Sequence, residues 1–149
     1  MNIVLIGYRG TGKSVVGELL AARLRMQCIG MDTEIVKRAG MSIPEIVEKY
    51  GWEKFRDIES EEAREVSGFD NVVIDTGGGV IERPVSRIHG DTERPALTAG
   101  KTFTEEVTEV LERRIPKYKS AAKYEIDTDE LTPEQVADRI IKICKMDSA

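Results

Sequence analysis

The chain has only two cysteines, one histidine and one tryptophan in 149 residues, and each scarcity closes off a class of chemistry. Cys28 and Cys144 have no metal-ligand spacing and no secretory pattern ahead of them, so they read as reduced thiols. His89 sits in a stretch without clear period and is assigned no role. Long apolar runs are missing as well. Residues 3–6 and 72–74 are of core-strand length, far below the ~20 residues that cross a bilayer, so no membrane partner is expected. Basic excess is missing too: the net charge of −5 argues against a nucleic-acid partner and leaves small ligands open. The first residues enter an apolar strand with no basic residue before Arg9, unlike a signal or transit peptide, and a cytoplasmic location is expected. What remains is 33% charged and 40% apolar, a globular rather than disordered profile, of a length that suits one domain over residues 1–149.

The pattern along the chain is β/α. Ile3, Val4, Leu5 and Ile6 form a continuous apolar run, as in a parallel strand buried on both faces. A glycine loop follows, and Val15, Val16, Leu19, Leu20 and Leu24 then recur at helical spacing. Residues 28–31 predict a second strand ending at Asp32, followed by a helix over 33–39 that stops at Gly40. Ser42 with Glu45 is a capping-box pair for a helix through Tyr50, and a charged helix follows Gly51 over about 52–66. Residues 71–75 predict a third strand that breaks into Gly77-Gly78-Gly79. Residues 84–100 read as a loop. Phe103, Val107, Val110 and Leu111 share a helix face, and Pro116 is expected to end or kink that helix. Residues 124–127 predict a last strand, and Thr132-Pro133-Glu134-Gln135 an N-cap, a first-turn proline and a capping-box partner for a closing helix to about Lys145.

Gly7-x-x-x-x-Gly12-Lys13-Ser14 matches the phosphate-binding P-loop in its strand-to-helix setting, a match expected by chance in under about 1% of chains this long. Its chemistry follows from its residue types. Backbone N–H groups of Gly10, Thr11, Gly12, Lys13, Ser14 and Val15 can close around phosphate oxygens at a helix N-terminus. Lys13 reaches the β/γ-phosphates, and Ser14 supplies a hydroxyl to Mg²⁺. ATP and Mg²⁺ are the expected cofactors. No Asn-Lys-x-Asp stretch follows the third strand, which disfavours a GTPase. Asp75 ends an apolar strand in the manner of a Walker B acid, or simply caps the strand.

Asp32, Phe55-Arg56, Gly77-Gly78-Gly79, Glu93-Arg94-Pro95, Arg113-Arg114 and Ile126-Asp127-Thr128 occur in the order, and largely at the spacing, of shikimate kinases, and from Met1 to Ile143 the chain resembles that family. The resemblance implies an α/β, three-layer P-loop kinase fold with a central parallel sheet of strand order 2-3-1-4-5. It implies transfer of the ATP γ-phosphoryl group to the 3-hydroxyl of shikimate by a monomer with no nucleic-acid or membrane partner. It assigns Arg56 and Arg114 to the substrate carboxylate, Asp32 to the substrate hydroxyls and the proton of the attacking one, and Gly77, Gly78 and Gly79 to a backbone surface facing the substrate. Lys13 and Arg94 join Asp32 as catalytic residues, Arg94 from a lid over about 87–103, while Arg87 and Pro133 hold the adenine and helices over about 33–66 bind substrate. The alternatives are another small-molecule kinase, acting on gluconate or a nucleotide, and a nucleotide-binding protein without catalysis.

Three departures stand out. Gly30 replaces an acid that the family uses to hold Mg²⁺ through water, a duty Asp75 is expected to assume. Leu131 replaces an arginine beside the adenine proline. The third is a gap: residues 80–93 leave no room for the helix and fourth strand that the family carries there, which take about 25 residues at average lengths. The join falls near residues 84–86. Deleting a central strand would cost more than a domain's ~5 to 15 kcal/mol of stability. Three explanations compete: the sequence omits residues of the physical chain, the sheet has closed to four strands, or the form is deliberately short. Intact flanking motifs favour the first, and a mass of 16.6 kDa would overturn it.

Overall fold

The computed structural model describes residues 1–80 and 103–147, with side chains of 103–108 excluded. Three short strands, β1 (Ile3–Leu5), β2 (Gln27–Gly30) and β3 (Val72–Asp75), form a parallel sheet with β3 in the middle. The register sets Val73 beside Ile3 and Cys28, and Asp75 beside Leu5 and Gly30. The order is thus 2-3-1, as the resemblance implies for its first three strands.

Strand alternation divides the core between two faces. Val73 and Ile3 pack with Val16, Leu20 and Ala21 of α1 (Lys13–Leu24) and with Val136 and Ala137 of the last helix, α5 (Pro133–Asp147). Ile29, Val72 and Ile74 pack on the other side against Val66 of α3 (Ile43–Ser67) and Met31 of α2 (Met31–Ala39). Helix, sheet and helix make the three layers. A separate cluster of Ile35, Ile43, Ile46 and Phe55 ties α2 to α3, so these helices carry a small core of their own. Gly51, at φ 83° and ψ 166°, breaks α3 where the sequence places a boundary, and the Ser42–Glu45 capping box opens it.

Three sequence expectations change. β2 ends at Gly30, and Asp32 lies in the first turn of α2, where a carboxylate complements the helix dipole. Of the end or kink expected at Pro116, the end does not occur: α4 (Phe103–Ala121) runs through it. Arg114 and Tyr118, on either side of the proline, both donate to the Gly78 carbonyl, and this anchorage offsets the backbone bond that proline cannot make. Residues 124–127 form no strand, because a parallel strand needs a neighbouring ladder and, among the described residues, β1 pairs only with β3. Ile126 instead packs as a side chain against the α1 core. The segment after it leads into α5, whose capping box, Thr132 with Gln135, is as expected.

Candidate active site

The loops after β1 and β3 and the start of α2 meet at the carboxyl edge of the sheet, where open α/β sheets bind ligands. They enclose a cavity of about 390 Å³ lined by Arg9, Gly10, Gly12, Lys13, Ser14, Val15, Asp32, Asp75, Thr76, Gly77 and Gly78. Gly10 and Gly12 have φ of 76° and 83°, a left-handed backbone that glycine adopts without strain, and both line the cavity at the start of α1, where free helix N–H groups favour an anion. Thr11 Oγ1 donates to Tyr8 O at 2.7 Å, and Lys13 Nζ donates to the same carbonyl at 2.9 Å. Burial lowers the Lys13 pKa, while the negative charges of Asp75 and Asp32 act in the other direction. Thr76 ties the end of β3 to β1 by donating from N and Oγ1 to Leu5 O.

Ser14 Oγ donates to Asp75 Oδ2 at 2.5 Å, and Asp75 Oδ1 is buried without a hydrogen-bond partner. A buried acceptor left open beside the Ser14 hydroxyl fits a Mg²⁺ ion or its water. Among the described residues no group of three or more His, Cys, Asp or Glu could hold a metal by itself. Gly30 is not enforced by packing, because a Cβ there would make only ordinary contact, 3.4 Å from Thr33 Oγ1.

The glycine turn is crowded on every side. A Cβ at Gly77 would stand 2.8 Å from Asp32 Oδ1 and 3.0 Å from Glu59 Oε1, one at Gly78 3.0 Å from Arg9 N, and one at Gly79 2.3 Å from both terminal nitrogens of Arg56. Arg56 is only 6% exposed, donates to Glu59 Oε2 at 2.5 Å, and lies 5.6 and 5.2 Å from the rings of Trp52 and Phe55. Trp52 packs edge-on against Phe55 on the same helix. Arg114, 5% exposed, donates to Gly78 O at 3.2 Å and lies 5.9 Å from the Tyr8 ring. Glu59 is a functional neighbour that sequence reasoning misses. Its signal there is the i, i+3 spacing from Arg56, which is common on any charged helix. Burial pushes its carboxyl pKa up, against the pull of the Arg56 charge.

The expected residues therefore gather in part. Lys13, Ser14, Asp32, Gly77 and Gly78 share the cavity, and Arg56, Gly79 and Arg114 adjoin it through the glycine turn. Pro133 opens α5 and is not among the cavity's lining residues. Arg87, Arg94, His89 and the loop over 84–100 lie outside the described residues.

A P-loop at the head of a parallel three-layer fold, facing a carboxylate and two buried arginines, defines the class as a P-loop phosphotransferase. Comparisons with known proteins make this specific. The shikimate kinase family model matches residues 9–89 and 82–145, and the chain belongs to that family. The shikimate kinase of Caldicellulosiruptor bescii is 37% identical over 95% of this chain and 94% of its own length, and that of Thermodesulfovibrio yellowstonii is 39% identical over 95% and 93%. Among solved structures, shikimate kinase from Acinetobacter baumannii in complex with shikimate matches with a TM-score of 0.84 at 28% identity, over 98% of this chain and 93% of that one. The enzyme from Aquifex aeolicus matches at 0.80 and 31%, over 99% and 98%.

The gap is visible in the same comparisons. The two family-model matches overlap at residues 82–89, around the expected join. The C. bescii alignment spans 164 positions, whereas 95% of this 149-residue chain is about 142, so about 22 positions face no residue of this chain.

Proposed function

We propose that the protein is an ATP-dependent shikimate kinase that transfers the γ-phosphoryl group to the 3-hydroxyl of shikimate. The observation that carries this reading is the junction of two unlike surfaces at one turn. Gly78 lines the P-loop cavity, and the Gly78–Gly79 backbone also meets the buried Arg114 and Arg56. Two guanidinium groups suit a small carboxylated polyol better than a nucleotide base. Asp32 lines the cavity beside Gly77, which supports a role for it in orienting the acceptor hydroxyl and taking its proton. Lys13 and the P-loop N–H groups would hold the phosphates of ATP for transfer to that hydroxyl.

Ser14 and Asp75 would hold Mg²⁺ with the nucleotide, and the ion would neutralise charge on the β- and γ-phosphates. Asp75→Asn keeps the shape of the side chain and removes its charge, so it is expected to raise the Mg²⁺ concentration for half-maximal turnover. A Mg²⁺ titration with the same midpoint as wild type would count against the role. Arg94 over the phosphates, Arg87 and Pro133 around adenine, a monomeric state and a cytoplasmic location belong to the same proposal.

The reading is tested by coupled measurement of ADP release with shikimate, gluconate or a nucleoside monophosphate as acceptor. Stimulation by shikimate alone is expected. Stimulation by gluconate or a nucleotide instead, or by no acceptor, would assign the chain to one of the alternative activities.

A further inference from the structure

Val80 N donates to Gly77 O at 3.2 Å, so residues 77–80 form a β-turn whose central peptide joins Gly78 to Gly79. Neither glycine has positive φ, which excludes type II geometry in this structure. Rotating the central peptide by about half a turn would convert the turn to type II, and that needs only positive φ at Gly79, which glycine reaches freely. Local chemistry therefore leaves two peptide orientations close in energy. A choice between them has to come from elsewhere in the fold.

α4 supplies it. The Gly78 carbonyl has two acceptor sites, and it receives Arg114 Nη1 at 3.2 Å and the Tyr118 hydroxyl. A trans peptide directs its N–H opposite to its C=O, so holding the carbonyl toward α4 turns the Gly79 N–H away from α4. The flipped peptide would exchange these groups, so that Arg114 and Tyr118 lose the acceptor they share and face an N–H in its place. Arg114 already has a role toward the acceptor carboxylate, and when it engages that ligand its hold on the carbonyl is shared. Tyr118 is then the donor that stays on the Gly78 carbonyl.

We propose that Tyr118 is a positioning residue that fixes the Gly78–Gly79 peptide in its acceptor-binding orientation. It acts through the backbone and touches neither nucleotide nor acceptor. The inference rests on the shikimate kinase reading, and the two fail separately: a wild-type protein without shikimate-stimulated ADP release sinks the reading, whereas an active wild type indifferent to the Tyr118 donor sinks only the inference.

The test compares Tyr118→Phe with two further proteins carrying 4-aminophenylalanine or 4-methylphenylalanine at position 118. The last two side chains have nearly the same shape and differ in having a donor. Shikimate affinity is read from the fluorescence of Trp52, the only tryptophan, whose ring lies 5.6 Å from the Arg56 guanidinium, and KM for each substrate from ADP release. Loss of the donor in the phenylalanine and methyl proteins is expected to weaken shikimate about three- to tenfold, the range of one hydrogen bond, with KM for ATP unchanged and the amine restoring wild-type affinity. Unchanged shikimate affinity in the methyl protein, or equal weakening of ATP and shikimate, would overturn the proposal. So would equal behaviour of the amine and methyl proteins, a comparison that stands even where Tyr118→Phe does not fold.

Discussion

Gly79→Ala is expected to lower kcat/KM for shikimate by about a hundredfold or more while leaving nucleotide binding near wild type. The new Cβ would lie 2.3 Å from both Arg56 terminal nitrogens and 2.5 Å from Cζ, so either the turn or the guanidinium must move. A long arginine on an open surface would swing aside at little cost. Arg56 is buried, bonded to Glu59 and enclosed by Trp52 and Phe55, so swinging aside means giving up a charge-assisted bond and leaving the Glu59 carboxylate buried without its partner. The affinity loss arises because each charge-assisted bond to an acceptor carboxylate contributes about 1.5 to 3 kcal/mol. Steady-state kinetics with shikimate varied at saturating ATP, beside a direct nucleotide titration, check it. Normal shikimate kinetics would show that Arg56 does not act at the turn.

Lys13→Met is the second large effect, and it falls on turnover rather than on acceptor affinity. The side chain crosses the P-loop to Tyr8 O, so its ammonium is already drawn over the cavity where phosphates would lie. A cation positioned in a poorly solvated site stabilises charge as it develops on the transferring group, and removing one such donor typically costs about 10² to 10³ in rate. Asp32 and Asp75 help keep the group charged against the lowering effect of burial. Lys13→Arg is expected not to restore the rate, since a planar guanidinium does not reproduce a compact ammonium. Both variants are measured by shikimate-dependent ADP release. Turnover close to wild type in Lys13→Met would remove Lys13 from the mechanism.

Elements held by local chemistry are legible in the sequence. The P-loop glycines, the Ser42–Glu45 and Thr132–Gln135 capping boxes and the break at Gly51 each depend on neighbours within a few residues, and each stands where its local pattern places it. The failures share the opposite property. Residues 124–127 have strand composition, but a strand exists only with a partner, and the partner belongs to the gap. Pro116 carries a local stop signal that two long-range bonds to Gly78 overrule. Glu59 has the pattern of any solvated acid, and only the packing of the Arg56 face of α3 against the glycine turn buries it.

The cavity is lined by glycine backbone, hydroxyls, carboxylates, the Lys13 ammonium and the Arg9 guanidinium, with neither thiol nor imidazole among its described lining residues. The sequence alone determined the P-loop chemistry, the β/α order and the set of charged residues to watch, because spacing along the chain carries all three. Tertiary structure decided which of those charges meet, which are buried, and which way the Gly78–Gly79 peptide faces. Those depend on contacts between residues far apart in the chain, such as Tyr118 and Gly78, 40 positions apart, and Ser14 and Asp75, 61 apart, and no local pattern encodes them.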